Sequence, residues 1–158
     1  MLTLLPDNDP ILRQVAEPVT EFGDELHQLC RAMAKVMVEN NGIGLAAPQV
    51  GISKRIIIAN VGIVGGLLIN PEIIEQDGEY NYKEGCLTFP GLFLEVKRAQ
   101  KVTVRYQEIE GKEREATMHN LFAVVIQHEI DHLNGKLFVD RVSPIALALA
   151  RKKLMQRN

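Results

Sequence analysis

Cysteine is scarce: Cys30 and Cys86 are the only two in 158 residues. Two thiols cannot build a disulfide framework, so a reducing compartment is expected. Long apolar runs are missing as well. No stretch approaches the roughly 18 residues that a spanning helix needs. No excess of either charge exists: 18 Lys and Arg stand against 20 Asp and Glu, a net charge of -2. Without a domain-wide basic field, a general nucleic-acid binder is excluded. The opening residues carry no basic or Arg/Ser-rich leader pattern. A soluble, cytoplasmic chain of one domain, 1–158, is the expectation.

The apolar residues are placed with regularity. Residues 6–20 hold Pro6, Pro10 and Pro18 and read as an irregular arm. Residues 21–40 space Phe22, Leu26, Leu29, Cys30, Met33, Val36 and Met37 as a helix, with Asn40-Asn41-Gly42 as its stop. Ile56–Ala59, Leu67–Ile69, Val102–Tyr106 and Ala116–Met118 read as strands, with glycine turns at 62–66 and Glu110-Gly111-Lys112. Helical spacing returns over 119–133. A last helix opens at Ser143-Pro144, a cap followed by proline in the first turn. The order predicts an α+β fold, with small antiparallel or mixed sheets around a central helix and further helices at both ends.

That central helix carries Gln127-His128-Glu129-Ile130-Asp131-His132. Residues i and i+4 share a helix face, so His128 and His132 can grip one metal ion, with Glu129 placed to take a proton from a bound water. Many metallopeptidases put a third histidine six residues further on; here that residue is Phe138. The third ligand is then Asp140 or an upstream donor, Cys86, His119 or His27. Cys86, between glycine-rich flanks in Glu84-Gly85-Cys86-Leu87-Thr88-Phe89-Pro90-Gly91, is the soft donor of the set, and two imidazoles with one thiolate would leave a fourth position open. Cys30 falls on the apolar face of the first helix and reads as core.

Three segments stand in order: Gly42-Ile43-Gly44-Leu45-Ala46-Ala47-Pro48-Gln49, Glu84-Gly85-Cys86-Leu87-Thr88 and Gln127-His128-Glu129-Ile130-Asp131-His132-Leu133. Together they resemble the three motifs of the peptide deformylases, and the resemblance runs from Asp9-Pro10-Ile11-Leu12-Arg13 to about Ser143-Pro144. It implies removal of the formyl group from the N-terminal formylmethionine of nascent peptides. It implies Cys86, His128 and His132 as ligands of one divalent ion, usually ferrous iron, with zinc, nickel or cobalt able to occupy the site. It also implies that Glu129 moves the proton, and that the Gln49 amide and the Leu87 backbone N–H hold the developing oxyanion.

Other readings come from the residues beside that resemblance. The bare Gly42 and Gly44 would let an extended peptide add to a sheet edge. Ile43, Leu121, Val124 and Val125 are candidates for a methionine pocket, with plain core packing as their other role. Glu84 is expected to order the backbone near Cys86, and Arg98 to pair with Asp131. Thr88 stands where the family commonly has serine. The apolar Phe89, Leu92 and Phe93 after Cys86 read as a loop that, if exposed, lines the entrance and favours large apolar residues at the second or third substrate position. Arg151, Lys152, Lys153 and Arg157 allow a transient ribosome contact or, more simply, a solvated helix face. Nothing demands more than a monomer. A peptidase for unformylated chains, a non-enzymatic metal-binding scaffold and, as a weaker third, a thiol hydrolase using Cys86 with a histidine base are the rival classes. The first is weakened by Phe138 and the second by the presence of Glu129 and Gln49.

Overall fold

The computed structural model describes residues 1–157. Helix α1 (Asp24–Glu39) turns Leu26, Cys30, Met33, Val36 and Met37 inward. Its stop is made by Asn41, in the left-handed region at φ 56°, rather than by the glycine after it. Strands β1 (Gly44–Ala46), β2 (Ile56–Val61), β3 (Val64–Asp77), β6 (Lys101–Gln107) and β7 (Glu113–His119) form one antiparallel sheet in the order β1-β2-β3-β6-β7. Strands β4 (Tyr80–Cys86) and β5 (Phe89–Arg98) form a separate hairpin. Helix α2 (Asn120–Leu133) is buried over most of its length, and α3 (Pro144–Arg157) closes the described chain.

The sheet lies between two helices because its strands alternate. Ile56 and Ile69 join Leu45 and the apolar face of α1 in one core cluster. Ile57, Ala59, Leu68, Val102 and Val104 meet Ala123, Val125, Ile126 and Ile130 of α2 in another. A third cluster packs Leu92, Leu94 and Val96 of the hairpin against Leu12 of the arm and Phe138. Helix α2 is thus covered by the sheet on one side and by the hairpin on another.

Two expectations need correction. Strand β3 extends to Asp77 although Pro71 lies within it, because a register shift between Ile69 and Glu72 absorbs the proline. Asn70, at φ 51° in that shift, clamps the arm: its side chain bonds both the N–H and the C=O of Val19. The apolar run after Cys86 is strand β5 rather than a loop. Phe89 and Leu92 are buried beneath the hairpin, and Phe93 alone of the three is exposed. The Ser143 cap stands as expected, its hydroxyl accepting from the Ala146 N–H. No helix among the described residues is long and apolar enough to cross a membrane.

Candidate metal centre

Strand β4 ends at Cys86, and helix α2 carries His128 and His132 past it. The ligand atoms of these three residues lie within 4.8 Å of one another, and Cys86 Sγ stands 3.5 Å from His132 Nε2. A tetrahedral ion with bonds of about 2.3 Å to sulfur and about 2.1 Å to nitrogen spans a sulfur–nitrogen edge of about 3.6 Å. The donor set therefore fits one such ion. The other donors weighed from sequence lie elsewhere. Asp140 accepts from the Arg13 guanidinium and the Leu137 N–H. His119 is exposed at the end of β7, and His27 sits on α1. Phe138 is buried with its ring 5.6 Å from that of His128, filling the space beside the imidazole.

His128 Nδ1 lies 2.8 Å from Glu84 Oε1. Burial raises the Glu84 carboxyl, but the bonds from Arg98 and His128 outweigh it and hold it below the usual range. The carboxylate can only accept, so Nδ1 carries the proton and Nε2 is left for a metal. Arg98 grips Glu84 with two bonds of 2.7 and 2.9 Å and reaches Asp131 at 2.7 Å. Asp131 in turn takes two bonds from Arg141. The expected Arg98–Asp131 contact is thus one rung of a ladder from His128 to Arg141. Gln127 fixes the other side of α2: its amide bonds both the N–H and the C=O of Ala99. The roles of Arg141 and Gln127 carried no signal in the sequence beyond their polarity. Burial above all pushes the His132 imidazole well below its usual value. The neutral imidazole is the form that binds metal.

Glu129 is buried beside this group, and its Oε2 has no protein hydrogen-bond partner, as is also true of His132 Nδ1. Burial, with His128 opposing and Glu84 assisting, pushes the Glu129 carboxyl up to about 7. A group poised there is matched to moving protons near neutral pH, and a cation bound at the triad would draw the value back down. A Cβ on Gly44 would meet Glu129 Oε1 at 2.6 Å and Val125 at 2.9 Å, so the bare glycine makes room for the carboxylate itself. A Cβ on Gly42 would meet Leu87 at 2.6 Å. Both glycines thus serve the protein's own packing as well as any peptide alongside. Gln49 is buried; its oxygen accepts from the Ala46 N–H and its amide donates to Thr88 at 3.0 Å, with Cys86 Sγ at 3.6 Å. The Thr88 hydroxyl thus holds the amide beside the thiol.

These groups open onto a cavity of about 540 Å³ between the free edge of β1 and the hairpin. Gly42, Ile43, Gly44, Leu87, Val124, Val125 and Glu129 line it. Leu121, one turn before Val125, lies outside the lining and packs against the α2 side of the sheet. Ile43 stands at the mouth, 45% exposed, rather than on the floor.

The sequence profile described as polypeptide deformylase matches residues 1–147. The chain belongs to the polypeptide deformylase family. A peptide deformylase of Thermotoga petrophila is 48% identical over 148 residues, covering 93% of this chain and 90% of that one. The crystal structure of the Legionella pneumophila peptide deformylase superposes with a TM-score of 0.91 at 42% identity, covering 99% and 94% of the two chains. That of the Synechococcus elongatus enzyme, in complex with actinonin, has a TM-score of 0.92 at 43% identity, covering 96% and 85%. Peptide deformylases are metal-dependent hydrolases of a linear amide that serve protein biosynthesis, and the chain is an enzyme of that kind. The α+β architecture is theirs also.

Proposed function

We propose that this chain, as one catalytic domain over 1–158, removes the N-formyl group from the N-terminal formylmethionine of nascent polypeptides. Water adds to the formyl carbon, the C–N bond breaks, and formate and a free α-amine leave. Cys86, His128 and His132 hold one divalent ion, with Fe2+ as the metal in the cell and Zn2+, Ni2+ or Co2+ able to replace it. Such an ion, when bound, acts as a Lewis acid and lowers the pKa of a coordinated water toward about 7. Glu129 accepts the proton of the attacking water and returns it to the departing amine. The Gln49 amide, fixed by Thr88 and Ala46, and the Leu87 N–H donate to the oxyanion that develops at the formyl carbon. Glu84 and Arg98 keep His128 in one tautomer and orientation.

The peptide is read as lying extended along the free edge of β1, where main-chain hydrogen bonds hold it without regard to most side chains. The methionine side chain enters the cavity toward Val124 and Val125. The place of work is the cytoplasm, where formylated chains emerge. The observation that carries this reading is the convergence of a thiol and two imidazoles within 4.8 Å, beside a buried carboxyl, with Cys86, His128 and Glu129 lining a cavity along a free strand edge.

The test is formate release from formyl-Met-Ala-Ser by anaerobically iron-loaded protein, wild type beside Glu129→Ala, with metal content measured in both. The wild type is expected to release formate and the variant to be slower by a factor of about 10³ at equal metal. No release by a fully loaded wild type would overturn the reading.

A further inference from the structure

Asparagine precedes glycine twice, at Asn41-Gly42 and Asn134-Gly135. Glycine leaves the asparagine before it unusually reactive, because no Cβ shields the glycine nitrogen. That nitrogen can attack the side-chain amide carbon. The Cγ–Nδ2 bond breaks, ammonia leaves, and a five-membered imide closes between the two residues. Water then opens the imide at either carbonyl. One product carries aspartate in place of asparagine. The other is isoaspartate, whose main chain runs through the side chain and is longer by one methylene.

The fold treats the two pairs differently. Asn134 is tethered, its Oδ1 accepting from the Arg55 guanidinium at 3.0 Å. A Cβ on Gly135 would strike the Arg13 carbonyl at 2.6 Å, so the arm covers that glycine. Asn41 is exposed and has no such tether among the described residues. It holds φ 56°, a left-handed conformation that side chains disfavour. The Gly42 N–H donates to the Met37 carbonyl at 2.9 Å and the Asn41 N–H to that of Val38 at 3.1 Å, closing the last turn of α1. The reacting nitrogen is freed whenever that turn frays, and helix ends open far more readily than a core.

The position makes the change consequential. Gly42 lines the cavity, and the Ile43 carbonyl accepts from the Asn60 N–H at 2.8 Å. An added methylene lengthens the chain by about 1.5 Å just ahead of them. The pairs Gly44↔Ala59, Leu45↔Ile58 and Ala46↔Ile57 pin β1 to β2, so the extra length is forced into Gly42 and Ile43. We propose that Asn41 is a site of spontaneous deamidation, and that isoaspartate at this position displaces Gly42 and Ile43 and lowers catalysis. The chemistry at Asn41 needs only water; the loss of activity rests on the deformylase reading.

The test is to age protein loaded with Ni2+, which air does not oxidise, in mildly alkaline buffer over weeks. Peptide mapping is expected to show residue 41 gaining one mass unit, –NH2 replaced by –OH, while Asn134 stays intact. For formyl-Met-Ala-Ser, kcat/KM should fall in step with the isoaspartate fraction at constant metal content. That fraction itself should be slower about 10²-fold, the cost of a displacement of about 1 Å. An isoaspartyl methyltransferase with S-adenosylmethionine should restore activity, since it returns isoaspartate to aspartate; oxidation or unfolding would not be reversed. Asn41→Gly, which accepts the left-handed φ, should start at wild-type activity and keep it. Asn41→Asp should start near wild type, because its main chain is normal. An Asn41→Asp protein as slow as the aged one would assign the loss to charge and overturn the displacement. Asparagine still present at 41 after Asn134 has reacted overturns the site, and isoaspartate at 41 with unchanged kcat/KM overturns its effect. No formate from fresh, fully loaded protein overturns the deformylase reading, while the mass of residue 41 still decides the chemistry.

Discussion

At the scale of single residues, the site is defined by what is missing as much as by what is present. Gly44 has no side chain because Glu129 occupies that space, with Oε1 2.6 Å from where a Cβ would stand. Gly44→Ala is therefore expected to push the carboxylate aside while leaving the buried core of β1 in place. A displacement of about 1 Å in a catalytic group can cost about 10²-fold. That loss in kcat/KM is predicted for formyl-Met-Ala-Ser, with an unchanged far-ultraviolet spectrum and full metal content. Activity within threefold of wild type would show that Glu129 has room the geometry denies it. Gly42 answers to Leu87 instead, whose tip is flexible, so the same change there should be milder. The two cysteines divide for a similar reason. Cys30 faces the apolar core under α1, where burial pushes its thiol up to about 11, whereas Cys86 faces the histidines.

At the scale of elements, the ladder from His128 through Glu84, Arg98 and Asp131 to Arg141 joins the hairpin to the metal helix. Arg98 and Glu84 side chains are each 3% exposed, so neither can be deprived of its partner cheaply. Arg98→Leu would leave the buried Glu84 with His128 as its remaining partner and Asp131 with Arg141 alone, a loss of about 3–5 kcal/mol. Arg98→Lys would keep the charge and lose the two-pronged grip on Glu84. The Lys variant is expected to weaken metal binding about 10–100-fold, measured by chelator competition, in protein that is still folded. Wild-type affinity in it would mean that His128 is held by its own helix. The paired side chains were legible in part: Arg98 and Asp131 could be joined on paper, but Glu84 and His128, 44 residues apart, could not. The metal helix could be read because i, i+4 spacing is local, and the strand pair β6–β7 because its turn is short. The hairpin was not read, although Leu94-Glu95-Val96-Lys97 alternates apolar and charged. The motif around Cys86 drew attention to chemistry, and the glycines on either side suggested a loop. Pro71 likewise hid the second half of β3, since a bulge that rescues a proline has no short-range signature.

At the scale of the whole molecule, the N-terminal arm closes on the end of α2 that bears His132 and on the segment that follows it. The Ala16 N–H donates to the Leu133 carbonyl at 2.8 Å, and Arg55 reaches Leu133 and Asn134. Gly135, at φ 71°, lies where a Cβ would strike the Arg13 carbonyl at 2.6 Å, so the arm passes directly over the turn that ends the helix. Arg13 then pairs with Asp140, 127 residues away in sequence. Burial alone would raise the Asp140 carboxyl, but the Arg13 guanidinium and the Leu137 N–H outweigh it and hold it below the usual range. A carboxyl depressed in the folded state stabilises the fold at pH above its unfolded value, near 3.9, and that contribution is lost as pH falls through the folded value. Asp140→Asn keeps the acceptor for Leu137 and removes only the titrating charge. The pair is half-exposed, so the difference in Tm between wild type and variant should be small, about 1–3 °C. It should be level from about pH 5 to 8, shrink below about pH 4, and close near pH 2. Added salt should reduce it across the upper range, since a half-exposed pair is screened. A difference that stays level from pH 8 to 2 would assign the effect to side-chain packing at Asp140. The clasp between the arm and the segment after α2 would then owe nothing to charge.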